Sequence, residues 1–258
     1  MTFWSMVTLA SGLGNKPVVK LYSASSPEAI ARNLRIVHFI RHAEGYHNIN
    51  KDYKNPLHID AELTPNGIVQ CENLGAKLKK AGIKVDCIIS SPMRRALQTA
   101  SYSFRNMIDN ETSSVPIIAC EHWRETVNYV CDVRLAKSDL MKTFETDEVL
   151  IDFSAIEHEH DPIWEKYEQH YGPHDIFTQH RESNDDDHLS KRAILAWKFI
   201  ADRPVHEKSI AVVSHSAFFM HVFTRLGLIQ YQDQHAEELM TSSRFDNCEM
   251  RSVAFDVI

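Results

Sequence analysis

Ile36-Val37-His38-Phe39-Ile40-Arg41-His42-Ala43-Glu44-Gly45-Tyr46-His47-Asn48 is an apolar run that stops abruptly at an arginine–histidine pair. A short apolar, β-branched run of this kind reads as a buried strand. Its C-terminal end then presents Arg41 and His42. In open α/β sheets that end of a strand is where ligands bind.

Two further stretches repeat the pattern. Val85 to Ile89 is a short β-branched run that ends in Ser90-Ser91-Pro92 and leads into a helix carrying Arg94 and Arg95. Ile210 to Val213 is another, followed at once by Ser214-His215-Ser216 and an apolar helix from Ala217 to about Leu226. Between them, Thr64-Pro65 starts a helix with an N-cap residue and a proline suited to the first position. That helix runs to about Lys80 and ends at Ala81-Gly82. A helix from about His188 to Asp202, a third strand near Pro116 to Ala119 and a last strand from Met250 complete the alternation. Pro27 to Arg32 forms a short helical turn, and residues 49–62 form a loop. Strands alternating with helices predict a three-layer α/β/α sandwich with a mainly parallel central sheet.

In a parallel sheet the three strand ends share one edge. That edge gathers His42, His215, Arg41 and the arginines after Ser91, with two helix N-termini facing it. Guanidinium forks and helix N-termini both suit phosphate oxygens. A neutral imidazole can attack phosphorus, cations can hold the equatorial oxygens, and a nearby acid can protonate the leaving alkoxide.

On these residues the chain resembles the histidine phosphatase superfamily, in its phosphoglycerate-mutase-like branch. The family's Arg-His-Gly-Glu-x-x-x-Asn block matches Arg41 to Asn48, with Ala43 in place of the glycine. Its Ser-x-x-x-Arg-Ala-x-x-Thr-Ala block matches Ser91 to Ala100. Its Ser-His-Gly-Gly block matches Ser214-His215-Ser216-Ala217. The looser Leu-x-Glu block fits Trp123-Arg124-Glu125. The resemblance implies that His42 is the nucleophile and becomes phosphohistidine. It implies that Arg41, Arg95 and His215 hold the phosphoryl oxygens, with Asn48 assisting. Ser216 stands in place of a family glycine and offers a further hydroxyl contact. Glu125 is then the proton donor and later the base for water, with Glu121 the other candidate in that stretch. Arg95, which directly precedes Ala96, is the expected phosphate ligand; Arg94 reads as a solvated or salt-bridged first-turn residue.

Composition bounds the rest. The chain has 258 residues and a formal net charge of −7, which disfavours nucleic acid or an anionic membrane as partner. The expected partner is a small phosphorylated substrate. Five scattered cysteines, without a Cys-x-x-Cys pair, read as free thiols in a reducing compartment, and the expected location is cytoplasmic. Residues 1–34 are expected to be an N-terminal extension packed on a single catalytic domain at 35–258. Met1 to Gly14 reads as a surface or docking segment, with a weak signal peptide as the alternative. A stretch at about 126–187, rich in Asp, Glu and His, is the least regular and is expected to select substrate. Within it, His158-Glu159-His160-Asp161 reads as a solvated acidic segment rather than a metal site. Trp164, Tyr167 and Tyr171 read as packing. Arg134 reads either as a contact for the far end of the substrate or as the ion-pair partner of Asp132.

The leading expectation is therefore a metal-independent phosphatase that uses no cofactor and hydrolyses a phosphomonoester. A phosphoglycerate-type mutase on the same fold is the alternative. It needs tight exclusion of water and a clamp for a small acidic substrate, which the acid-rich insertion serves poorly. A non-catalytic phosphate-binding module is a third reading, and the intact His42, Arg41, Arg95 and His215 set argues against it.

Overall fold

A computed structural model describes residues 18–49, 51–105, 115–145, 149–173 and 180–258. The segment Met1 to Gly14 lies outside the described residues.

The chain begins with β1 (Val19–Ser23), α1 (Pro27–Ala31) and β2 (Arg35–Arg41). A one-turn helix, α2 (Tyr46–Ile49), follows the Arg-His pair, and a 3₁₀ turn at Pro56–His58 leads to α3 (Pro65–Ala81). Next come β3 (Cys87–Ser90), α4 (Arg94–Phe104) and β4 (Ile117–Ala119). The stretch that looked least regular holds α5 (Lys137–Thr143), β5 (Ile151–Asp152) and α6 (Pro162–Tyr171). The chain then runs through α7 (Asp186–Ala201), β6 (Ser209–Ser214), α8 (Ser216–Met220), β7 (Ile229–Tyr231), α9 (Gln234–Thr241) and β8 (Met250–Val257).

Among the described residues the strands form one sheet in the order β5-β4-β3-β6-β2-β8-β1-β7. Every pairing is parallel except the two made by β8, which lies antiparallel between β1 and β2. Side chains alternate across a strand, and here alternation builds three layers. Val37, Phe39, Ile210, Val212, Cys87 and Ile89 face one core with Trp197 and Ile200 of α7 and Phe218 and Phe219 of α8. Ile40, Ala211, Val213 and Ile88 face the other core with Leu74 and Leu78 of α3 and Leu97 and Ala100 of α4. Phe39 sits at the centre of the first core, with ring centroids 5.6 Å from Trp197 and 5.7 Å from Trp123. This is the expected three-layer α/β/α sandwich with a mainly parallel sheet.

Local signals set the element ends. Thr64 accepts from the Gly67 amide at the start of α3, and Gly82 closes that helix in the left-handed region (φ 66°). α4 begins at Arg94, two residues after Pro92, with Met93 as its N-cap. The helix from β6 starts at Ser216 and passes into a π turn at His221–Arg225. α6 is capped by Asp161, which is buried and paired with Arg124 at 2.6 Å. The His158-to-Asp161 segment is thus solvated only up to His160. Trp164 and Tyr167 form a small core with Val127, as packing residues do. Among the described residues no helix is long and apolar enough to cross a membrane.

One close approach ties this scaffold to the Arg-His loop. A Cβ at Gly67 would stand 2.2 Å from the Glu44 carbonyl oxygen. That oxygen also accepts from the Thr64 amide at 2.9 Å, so it has little freedom to retreat. Gly67→Ala is expected to destabilise the protein by about 1–3 kcal/mol through overpacking and to lower turnover by shifting residues 42–44. Urea unfolding together with phosphate-release kinetics measures both; an unchanged midpoint would show that the loop yields freely.

Candidate active site

β2, β6 and β3 lie side by side, so their C-terminal ends share an edge. Arg41 pairs with Ser214 in the β2–β6 ladder, and the His42 amide donates to the Ser214 carbonyl at 2.9 Å. The Ala43 amide then donates to Thr99 Oγ1 at 2.9 Å. Thr99 Oγ1 in turn donates to the Arg95 carbonyl at 2.6 Å. One hydroxyl therefore joins the Arg-His turn to the helix that carries Arg95.

A cavity of about 650 Å³ opens at this edge. Arg41, His42, Asn48, Arg95, Glu125 and Ser216 all line it. His215 does not line it. It is fully buried beside His42, with ring centroids 5.0 Å apart and Nε2 2.7 Å from Ser91 Oγ.

The geometry assigns the His42 tautomer. Nδ1 lies 2.7 Å from the Ala43 carbonyl oxygen. A carbonyl only accepts, so Nδ1 carries the hydrogen and Nε2 holds the lone pair. Burial, then the nearby Arg95 and Arg41 guanidiniums, push the His42 pKa well below its usual value. The ring is neutral at physiological pH, with an unprotonated Nε2.

Around it are buried nitrogens without hydrogen-bond partners: Arg41 Nε, Arg95 Nε and His215 Nδ1. Unpaired buried polar groups need an explanation in a native structure, and of these three residues Arg41 and Arg95 line the cavity. Arg41 Nη1 is anchored on the Phe245 carbonyl at 2.9 Å. Arg95 Nη1 is anchored on the Cys131 carbonyl at 2.8 Å, and its Nη2 lies 3.4 Å from Asp132 Oδ1.

The helix N-termini behave differently from expectation. The Arg94 amide donates to Asp60 Oδ1 at 2.8 Å. The Phe218 amide donates to Glu125 Oε1 at 2.8 Å, as does the Thr126 amide at 2.9 Å. Side-chain carboxylates, the buried Asp60 and the half-buried Glu125, take these amides. The same bonds fix Glu125 at the cavity wall. Glu121 instead pairs with Arg134 at 2.5 Å and Arg124 at 3.4 Å, away from the cavity. Arg94 is structural, held by Glu62 at 2.6 Å.

Arg134 follows neither sequence reading. It is buried among the carbonyls of Leu135, His158, Glu159 and His160 and pairs with Glu121. Asp132 pairs with Arg95 instead. Among the described residues no three potential metal ligands converge.

Sequence reasoning missed several residues in and behind the cavity wall. His47 is buried with its ring centroid 5.4 Å from His42; its place on the turn directly after the Arg-His block was the available signal. Asp132 accepts from the Asn128 and Tyr129 amides at 3.1 and 2.9 Å, and burial raises its carboxyl pKa to about 6. Asn247 Nδ2 donates to the His42 carbonyl at 3.1 Å across a separation of 205 residues, and no local pattern announced it.

The buried histidines set a pH dependence. His42, His47 and His215 are held well below the usual value, chiefly by burial. Burial pushes His38, His122 and His221 down to about 4. Unfolded, all of them take up protons near pH ~6.5. Between about pH 6.5 and about pH 4 the unfolded state binds more protons, so stability falls as pH falls. Asp60 and Asp132, raised by burial, oppose this with fewer groups. The urea midpoint is expected to drop from about pH 7 to about pH 5; a flat or rising midpoint would contradict neutral burial.

Comparison with known proteins agrees with the geometry. The histidine phosphatase superfamily (branch 1) pattern matches residues 37–132. A phosphoglycerate mutase-like protein of Arabidopsis thaliana is 31% identical over 249 residues, covering 85% of this chain and 83% of the relative. A probable phosphatase of Schizosaccharomyces pombe is 28% identical over 181 residues, covering 70% of this chain and 74% of that protein. The alpha-ribazole phosphatase of Shigella flexneri shares the fold, with a TM-score of 0.51 at 19% identity over 86% of this chain and 95% of that one. With its sheet, its Arg-His turn and these relatives in agreement, the chain belongs to the histidine phosphatase superfamily, in the phosphoglycerate-mutase-like branch.

Proposed function

We propose that the protein is a metal-independent phosphatase that hydrolyses a phosphomonoester through a phosphohistidine on His42. The observation that carries this reading is the His42 ring itself. Its Nδ1–H is committed to the Ala43 carbonyl, which leaves Nε2 unprotonated in a cavity whose lining includes the guanidiniums of Arg41 and Arg95.

In the first step Nε2 attacks phosphorus and the P–O bond to the alcohol breaks. Arg41 and Arg95, with His215 behind, stabilise the charge on the equatorial oxygens. Asn48 has its Oδ1 engaged by the Gly45 amide at 3.1 Å, which leaves its NH₂ as the group for a phosphoryl oxygen. Ser216 offers a hydroxyl. Glu125 gives a proton to the departing alkoxide. In the second step it takes a proton from water, which attacks phosphorus and frees His42 and inorganic phosphate. Charge neutralisation is supplied by the arginines, so the scheme draws on no metal and no cofactor.

Hydrolysis is favoured over mutase chemistry by the size and rim of the cavity. A mutase must keep water from its phosphoenzyme and hold a small acid. Here the cavity is about 650 Å³, and exposed His180, Arg244 and Asp246 stand among its lining residues.

His42→Ala is expected to abolish turnover of every ester and to prevent acid-labile phosphoenzyme trapping while the protein stays folded; retained turnover would remove His42 as nucleophile. Glu125→Gln is expected to slow alkyl phosphates by about 10²–10⁴-fold and aryl phosphates far less. Equal losses on both ester classes would move the acid elsewhere. EDTA should leave the rate unchanged, whereas a strong loss would require a metal. Interconversion of 2- and 3-phosphoglycerate in the presence of the bisphosphate would replace the hydrolytic reading by the mutase one.

A further inference from the structure

Beyond the phosphoryl-holding residues, the cavity has a second kind of wall. A run of rings leads outward from the nucleophile. His47 is 5.4 Å from His42, Tyr53 is 6.0 Å from His47, Tyr129 is 5.5 Å from Tyr53, and His180 is 5.6 Å from Tyr129, all between ring centroids. All of these residues line the cavity. Exposure rises along the run: His42 and His47 are buried, Tyr53 and Tyr129 half-buried, His180 exposed. Three separate segments of the chain supply these rings, so one element's own packing does not account for the run.

The charged groups at the rim are of both signs. Arg225 is held by Asp186 at 2.9 Å and by the Ser183 carbonyl at 3.0 Å. Arg244 lines the cavity together with Asp246, two residues away and opposite in charge. The wall that runs outward from the nucleophile is aromatic. Burial keeps His47 neutral. A cavity of this volume is of the size that takes a ligand of many heavy atoms, and a phosphoryl group fills only its floor.

We propose that His47, Tyr53, Tyr129 and His180 form a stacking wall for the alcohol part of the substrate, and that this part carries a planar aromatic or heteroaromatic ring. The proposal rests on the phosphomonoester reading above and names the class of ester. The carbon next to the bridging oxygen passes His47, and the ring lies against Tyr53 and Tyr129. Aromatic contacts of this kind contribute beyond the area they bury.

Non-hydrolysable phosphonates separate binding from turnover. Calorimetry with benzylphosphonate and with cyclohexylmethylphosphonate compares a planar and a puckered six-membered ring on the same anionic head. The wild-type protein is expected to bind the benzyl compound roughly threefold to tenfold more tightly. Tyr129→Leu and Tyr53→Leu are expected to reduce that ratio to about one, and Tyr129→Phe, which keeps the ring, to preserve it. Equal affinities in the wild-type protein, or a ratio unchanged in both leucine variants, would overturn the wall. Benzyl phosphate and cyclohexylmethyl phosphate then test the chemistry, since both release a primary alkoxide. A binding preference with no phosphate released from either ester would support the wall and overturn the hydrolytic reading alone.

Discussion

The hydrogen bond from the His42 amide to the Ser214 carbonyl, 2.9 Å long, is the rung on which the site depends. It extends the β2–β6 ladder one residue past the strand end and so fixes where the chain turns. Because the two strands are parallel and in register, the residues after Arg41 and after Ser214 emerge together. His42 and His215 are neighbours for that reason alone. The antiparallel β8 braces the other edge of β2, and the loop before it holds the His42 carbonyl through the Cys248 amide at 3.3 Å and Asn247.

Burying so much basic chemistry has an electrostatic cost, and the fold meets it in two ways. The histidines stay neutral, their pKa values depressed by burial. The arginines stay charged and are anchored on carbonyls or acids. Arg124 is fully buried and holds both oxygens of Asp161 at 2.6 Å. Arg192 grips Glu182 at 2.9 Å, burying a carboxyl whose pKa is thereby held down at about 2. These pairs fasten the acid-rich stretch to the domain. Removing one partner of such a pair is far more damaging than its net contribution suggests, because the other charge is left buried. The same stretch supplies Tyr129, Asp132 and His180 to the cavity.

What the sequence made legible follows the range of the interactions involved. Strands β2, β3 and β6 were readable because each is a continuous apolar run, and α3 because Thr64, Pro65 and Gly82 mark its ends. The Arg-His and Ser91-to-Ala100 blocks were readable because their chemistry is local to a few residues. The strand β1 was not, since Val19 to Ser23 is short and only its partners in β7 and β8 define it. Arg134 was misread because its partner, Glu121, is set by tertiary packing rather than by spacing. The amides at the helix starts were assigned to an anion because the pattern could not show that Asp60 and Glu125 would arrive first. Asn247 and the aromatic wall come from segments far apart in the chain.

The docking of residues 244–249 onto the Arg-His turn has a kinetic meaning. Arg41 reaches the Phe245 carbonyl and Asn247 reaches the His42 carbonyl, contacts that close loops of about two hundred residues. Contacts of such separation form late, since chain entropy must be overcome before they reward folding. A partly folded molecule therefore carries the Arg-His motif without a competent site. Its histidine is solvated and free to take a proton, and its arginine is unanchored. The assembled site is in this way confined to molecules that have finished folding.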